Sequence, residues 1–394
     1  MYAQTANAHR DMLTSHLLAY LLPSAKGPRS RAVTSATSAE ADGRASSGRW
    51  AFASQTARRV SLMPRKRYVP PCDATMRSKA LGENPGQLQR CWECFDPLPP
   101  AEPWDWLGHG APGEIDRSGQ TFKRFLAPGP HRSFPSRTQR RVYLMPLGDC
   151  LKAPSMEVLS DLLSRWLLLE VSPLKQCKAE TKALLRNEEG CGYGAQIETS
   201  SAHELAYARK RELRDAFAVI CYTMEDICDT QKGFQFLFGQ AQLDKGVGIF
   251  SFARYADDSP SPARFLKRCG MVLVHEAFHL FGVKHCVFAL CIMNGSNHLD
   301  ESERRPFAMC PVDLRKLAST LDDSKIYSQP VDLEQRERSL LDFFEKHGLD
   351  DDARFTRAVI AQMTGQDIGT IAEQAVQLSG LLSDPGCSSS ASPP

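Results

Sequence analysis

Apolar residues in this chain fall into short runs separated by polar, helix-forming stretches. R-R-V-Y-L-M-P-L at 140–147, W-L-L-L-E-V at 166–171, A-F-A-V-I-C-Y-T at 216–223 and V-G-I-F-S-F-A-R at 247–254 each read as a buried strand. Between the second and third runs, a stretch around 202–214 rich in Ala, Glu and Lys reads as a helix. Alternation of this kind predicts an α/β fold with a mixed, mostly parallel sheet. Farther on, D-L-R-K-L-A-S-T-L at 313–321 reads as another helix. Residues 331–382 then carry apolar side chains at helical spacing, as in L-L-D-F-F-E-K-H, which predicts two or three more helices. The Pro-, Gly- and Trp-rich stretch 95–116 reads as a linker or surface-hugging loop.

Both ends lack this patterning. Residues 1–67 hold nine arginines and two lysines against three acidic residues, are rich in Ser, Ala and Thr, and show no periodicity. That composition predicts disorder, or alternatively an organelle transit peptide. L-L-A-Y-L-L at 17–22 is short for a secretory core, which argues against export. A tail from Asp384, ending S-S-S-A-S-P-P, also reads as disordered. The divisions expected are a disordered or targeting extension at 1–85, a catalytic domain at 86–325, a helical extension at 326–382 and a tail at 383–394.

Composition excludes some classes. With 394 residues, 42% of them hydrophobic, the chain can bury one sizeable core. A net charge of +2 gives no global attraction for nucleic acid or anionic lipid. No apolar run approaches the ~18 residues of a membrane helix. Thirteen cysteines is an odd number for a disulfide framework. Thiols and metal in a reducing compartment fit better, so a cytoplasmic or nuclear location is expected, with organelle targeting as the alternative. Cys91 and Cys94 form a lone C-x-x-C, readable as a third metal or redox pair or as chance spacing.

The chemistry lies in V-H-E-A-F-H-L-F-G-V-K-H-C, residues 274–286. His275 and His279 are four apart, so on a helix they share a face and can grip one tetrahedral Zn²⁺. Glu276 is misplaced for a ligand but can reach a water beside the metal and take its proton. Gly282 can adopt positive φ and turn the chain so that His285 returns as the third ligand. Three protein ligands leave one position open, the layout of a catalytic site rather than a closed structural one.

The continuation narrows the family. Cys286 follows His285, then come Cys291, Met293 and Cys310. The chain resembles the archaemetzincins, zinc metallopeptidases with the pattern H-E-x-x-H-x-x-G-x-x-H-C-x4-C-x-M and a later C-x-x-C. The G-S-N-H-L and R-R-P segments also look like the eukaryotic members. The resemblance covers roughly residues 120–325. It implies a metzincin-like zincin whose active-site helix sits above a zinc-bound Cys-rich lower part. It also implies a Met-turn floor at Met293 and a second, structural zinc on four cysteines.

Here the pattern breaks, because the fourth cysteine position is Asp313. A carboxylate can ligate zinc, so Cys286, Cys291, Cys310 and Asp313 are the expected second set. His298, Asp300 or water are other candidates for the fourth place. Asp313 can instead serve the N-terminus of its own helix. From its metzincin likeness, strand 247–254 would be antiparallel and border the cleft, where an extended peptide could pair with it.

The resulting expectation is a zinc-dependent peptidase with Glu276 as general base, acting as a monomer on peptides or small proteins. Some family members are aminopeptidase-like. A catalytically inactive, zinc-stabilised binding scaffold is the competing class.

Overall fold

The structure is a computed structural model, which describes residues 67–70, 73–109, 115–129, 133–148, 150–177, 185–186, 195–256 and 260–366. The extension at 1–66 and the tail after 366 lie outside the described residues.

Five strands form the central sheet: β1 (Arg141–Leu147), β2 (Val171–Pro173), β5 (Ala216–Thr223), β8 (Gly239–Gln242) and β9 (Val247–Ser251), in the order β2-β1-β5-β9-β8. The β1–β2, β1–β5 and β5–β9 pairs are parallel, and β8 is antiparallel to β9. The mixed, mostly parallel sheet is therefore as expected. A smaller sheet holds β3 (Leu185–Arg186), β4 (Gln196–Glu198), β6 (Asp226–Asp229) and β7 (Phe234–Leu237) in the order β3-β4-β6-β7.

Continuous apolar runs suit strands buried on both faces, and side chains alternate between the two faces. Val142, Leu144, Ala218, Ile220 and Phe250 enter the larger core. Tyr143, Met145, Val219, Cys221 and Ile249 enter a second, smaller one. Helix α4 (Thr199–Glu212) covers the smaller core with Ala202 and Ala206. On the other side lie α3 (Met156–Leu167) and α5 (Pro262–His279), with α7 (Pro311–Ser324) and α8 (Leu333–Lys346) beyond them. Helices α1 (Ala74–Leu81) and α2 (Phe122–Leu126), and the short α6 (Leu299–Glu303), complete that side.

Two strand expectations change. Residues 166–171 are mostly not a strand: Trp166 and Leu167 close α3, and the chain enters β2 only at Val171. Ser155 caps α3 by accepting from Val158 N, and Leu159, Leu162, Leu163 and Trp166 repeat at helical spacing. That longer pattern overrides the short apolar run. The strand at 247–254 is shorter, and it is interior, lying between β5 and β8. The antiparallel edge is β8.

In the C-terminal part, α8 is followed by α9 (Asp350–Thr364). Arg336 of α8 lies over the Trp166 ring at 4.8 Å and donates to Trp166 O at 3.1 Å. Arg90, from the 3-10 helix Gly86–Cys94, donates to Gln362 O and Met363 O at the end of α9. Phe343, Phe344 and Val359 belong to the same core as α5.

Candidate active site

Helix α5 is built to be rigid where its chemistry lies. Ser261 caps it, accepting from Arg264 N at 3.2 Å, and Pro262 occupies the first turn. From Cys269 to His279 every residue is buried. His275 and His279 lie one turn apart, with their Nε2 atoms 3.1 Å from each other. Their Nδ1 atoms face backbone carbonyls, His275 on Ile292 O at 2.8 Å and His279 on Val283 O at 2.6 Å. Donation from Nδ1 fixes the tautomer and leaves both Nε2 lone pairs for a metal. Burial pushes His275 well below its usual range and His279 down to about 4, so both rings are neutral, the form that ligates.

Gly282 has φ +86, the left-handed turn expected of it. His285 returns with its ring centroid 5.1 Å from that of His275 and 4.9 Å from that of His279. Ligand atoms of all three lie within 4.8 Å of one another. Three imidazoles with a shared target fit zinc.

Beside them, Glu276 is buried and its Oε2 has no hydrogen-bond partner. An orphaned carboxylate oxygen is costly unless water or metal chemistry uses it. Burial raises its carboxyl to about 8, against the pull of Arg305. Gly239 on β8 makes room for it: a Cβ there would lie 3.0 Å from Glu276 Cγ and 2.6 Å from Phe250 Cδ1.

The second cluster is equally compact. Cys286 Sγ and Cys310 Sγ are 3.6 Å apart, and Asp313 Oδ2 is 3.4 Å from both Cys291 Sγ and Cys310 Sγ. Around tetrahedral zinc, two sulfurs sit about 3.8 Å apart, and a sulfur and an oxygen about 3.5 Å apart. The four donors therefore fit the ion. Three backbone N–H groups, of Phe288, Met293 and Cys310, point at the sulfurs. None of the three cysteines is in a disulfide. Asp313 occupies the first turn of α7, but its oxygens point to the sulfurs and to Lys316 Nζ rather than capping the helix. Burial pushes its carboxyl up to about 6, with Lys316 pulling the other way.

Other expected residues divide. Met293 is fully buried, and its carbonyl accepts from Cys286 N at 2.7 Å, tying the two centres together. His298 is drawn away from the cysteines to Asp105 and Glu301, and Asp300 is exposed. That third cluster is a fastener: His298 Nε2 meets Asp105, and Glu301 accepts from Trp106 N and Asn297 N. Burial lifts Cys91 to about 12 and Cys94 to about 11, which favours the thiol over the reactive thiolate.

Sequence reasoning missed Arg305, Gln120 and Trp106. Fully buried Arg305 donates to Ile292 O at 3.2 Å, the carbonyl that also receives His275 Nδ1. R-R-P was visible in the sequence, yet nothing in its spacing pointed to this contact. Gln120 donates to Gly282 O and accepts from Lys284 N, each at 3.0 Å. Trp106 meets the His285 ring edge-on at 4.6 Å. The loop read as a linker thus reaches the site.

Comparison with known proteins points to one family. The profile of peptidase family M54 matches residues 157–319. Archaemetzincin-2 of Macaca fascicularis is 30% identical over 273 residues, which is 58% of this chain and 71% of the relative. Archaemetzincin-1 of Homo sapiens is 25% identical over 237 residues, 51% of this chain and 47% of the relative. A solved structure, archaemetzincin (AmzA) from Archaeoglobus fulgidus complexed with malonate, is 25% identical and covers 46% of this chain and 99% of its own, with a TM-score of 0.35. Identity of 30% across 71% of a relative reaches well beyond the histidine motif, and it places the chain in the archaemetzincin family, the zinc metallopeptidases of peptidase family M54.

Proposed function

We propose that this chain hydrolyses peptide bonds, with His275, His279 and His285 holding a zinc ion and Glu276 acting as general base. The observation that carries this reading is the unpartnered, buried Glu276 Oε2 beside three converging imidazoles. Zinc held there supplies Lewis acidity, which makes a water nucleophilic near neutral pH and polarises a carbonyl. Glu276 Oε2 takes the proton from the attacking water and hands it to the leaving amine. Arg305 pulls Glu276 towards the carboxylate form that the base needs, against the burial that raises its carboxyl to about 8. Cys286, Cys291, Cys310 and Asp313 hold a second, structural zinc.

An extended peptide has a place to lie. Ser251 N donates to Phe238 O, so alternation along β8 turns the backbone groups of Gly239 and Ala241 away from β9. Those groups can pair with a substrate strand next to Glu276. An aminopeptidase-like preference is a finer form of this reading, tested by comparing free and N-acetylated peptides. Among the described residues no helix is long and apolar enough to cross a membrane. A cytoplasmic or nuclear monomer without nucleic-acid or membrane partners remains our reading.

The inactive-scaffold alternative requires a lost base or ligand, and all four residues are present. Replacing Glu276 by Gln tests the choice. Loss of peptide hydrolysis with zinc and fold retained supports the enzyme, undiminished hydrolysis removes Glu276 as the base, and wild-type protein that hydrolyses no peptide leaves the scaffold.

A further inference from the structure

The turn that carries the third histidine is held by a segment far upstream. Gln120 is almost fully buried, and its amide spans the Gly282–Val283–Lys284 turn from end to end. Val283 inside that span offers the carbonyl that orients His279. One side chain therefore fixes both the support of the second ligand and the approach to the third.

Trp106 acts on His285 itself, its ring edge-on at 4.6 Å and 82°. Its own position is fixed on two sides. Trp106 N donates to Glu301 at 2.9 Å, and Gly295 lies so close that a Cβ there would meet the indole at 2.3 Å. Gly119 seats the strand of chain beside Gln120, since a Cβ there would lie 2.5 Å from Val287 and 2.7 Å from Phe288, just past Cys286. Arg117 donates to Leu107 O at 3.2 Å and to His109 O at 3.2 Å, tying the Gln120 side to the Trp106 side.

We propose that residues 105–109 and 115–120 brace the histidine centre, with Gln120 and Trp106 as positioning residues that hold His285 and the 282–284 turn in ligating geometry. This rests on the assignment of the three histidines as ligands. The brace lies ahead of the stretch 157–319 that matches the family profile. Outer-shell partners of a metal ligand typically contribute 10- to 100-fold in affinity. The cysteine centre has its own supports, the N–H groups of Phe288, Met293 and Cys310, so the brace should matter unequally to the two sites.

The experiment is a cobalt titration of the full chain against a competing chelator. Sulfur-to-cobalt charge-transfer bands report the cysteine centre, and cobalt bound per chain beyond what those bands account for reports the histidine centre. Gln120→Leu and Trp106→Leu should weaken the histidine centre about 10- to 100-fold while leaving the cysteine centre unchanged. Gln120→Glu keeps the side-chain shape and the acceptor for Lys284 N, and Trp106→Phe keeps an aromatic edge on a smaller ring, so both should fall between wild type and the leucine variants. Histidine-site affinity within twofold of wild type in all four variants overturns the brace. So does equal weakening of both sites, which marks a merely structural role. Wild-type protein that loads the cysteine centre alone overturns the ligand assignment, and the brace with it.

Discussion

Lys316 Nζ lies 2.7 Å from Asp313 Oδ1, with both side chains almost completely closed off from water. The pair divides the carboxylate, one oxygen to the ammonium and the other to the sulfurs of Cys291 and Cys310. With zinc held there, a buried cation next to three thiolates and a carboxylate would offset charge that the ion alone does not cancel. Removing one partner of a buried pair costs roughly 3–5 kcal/mol. Lys316→Met should destabilise metal-depleted protein by about 3 kcal/mol in urea unfolding. A loss under about 1 kcal/mol, the size of an exposed pair, would show that the contact is weak.

Metal content follows from the same geometry. Wild type should hold two zinc ions per chain, and Asp313→Ala and His279→Ala should each hold one by elemental analysis. Two ions retained in Asp313→Ala would remove the aspartate from the ligand set. One ion in wild type, still present in Asp313→Ala and gone in His279→Ala, would leave the cysteines only a packing role.

Gly239 gives a way to disturb the base without touching a ligand. A methyl group there must push Phe250 or Glu276 aside. We expect Gly239→Ala to lower peptide hydrolysis about 10- to 100-fold, a partial loss of the roughly 10²–10⁴-fold that a general base contributes, with both metals kept. Full activity would mean that the Glu276 position tolerates the shift.

Glu303 sets an acid-side dependence of stability. Hydrogen bonds from Arg264 and then Arg268 hold its carboxyl down at about 2, against the ordinary 4.5. The unfolded chain therefore binds this proton more readily. The stabilisation is fully present above pH 4.5 and is lost as pH falls towards 2. Wild type should melt above Glu303→Gln at neutral pH, and the gap should narrow across that window. A gap that does not change with pH would point to packing rather than charge.

The sequence disclosed what is local and concealed what is distant. His275, His279, Gly282 and His285 sit within eleven residues, so helix periodicity and one glycine suffice to bring them together. Asp313 was legible because it stands where a cysteine would complete a short spacing. Gln120 and Arg305 were not, since each acts through a backbone carbonyl chosen by tertiary packing, which leaves no periodic trace. Trp106 was hidden by its Pro- and Gly-rich surroundings, which read as loop correctly but say nothing about what a loop side chain touches. The strand at 247–251 was found, yet its place inside the sheet was not, because neighbour order depends on the short β8 that no apolar run announces.

His285 and Cys286 are adjacent in the chain, and the backbone bond from Cys286 N to Met293 O closes the loop that both centres draw on. The third imidazole and the first thiol thus hang from neighbouring α-carbons, about 3.8 Å apart across one peptide bond. The two centres are held at a set separation by covalent geometry, and no movement of helix against sheet can part them.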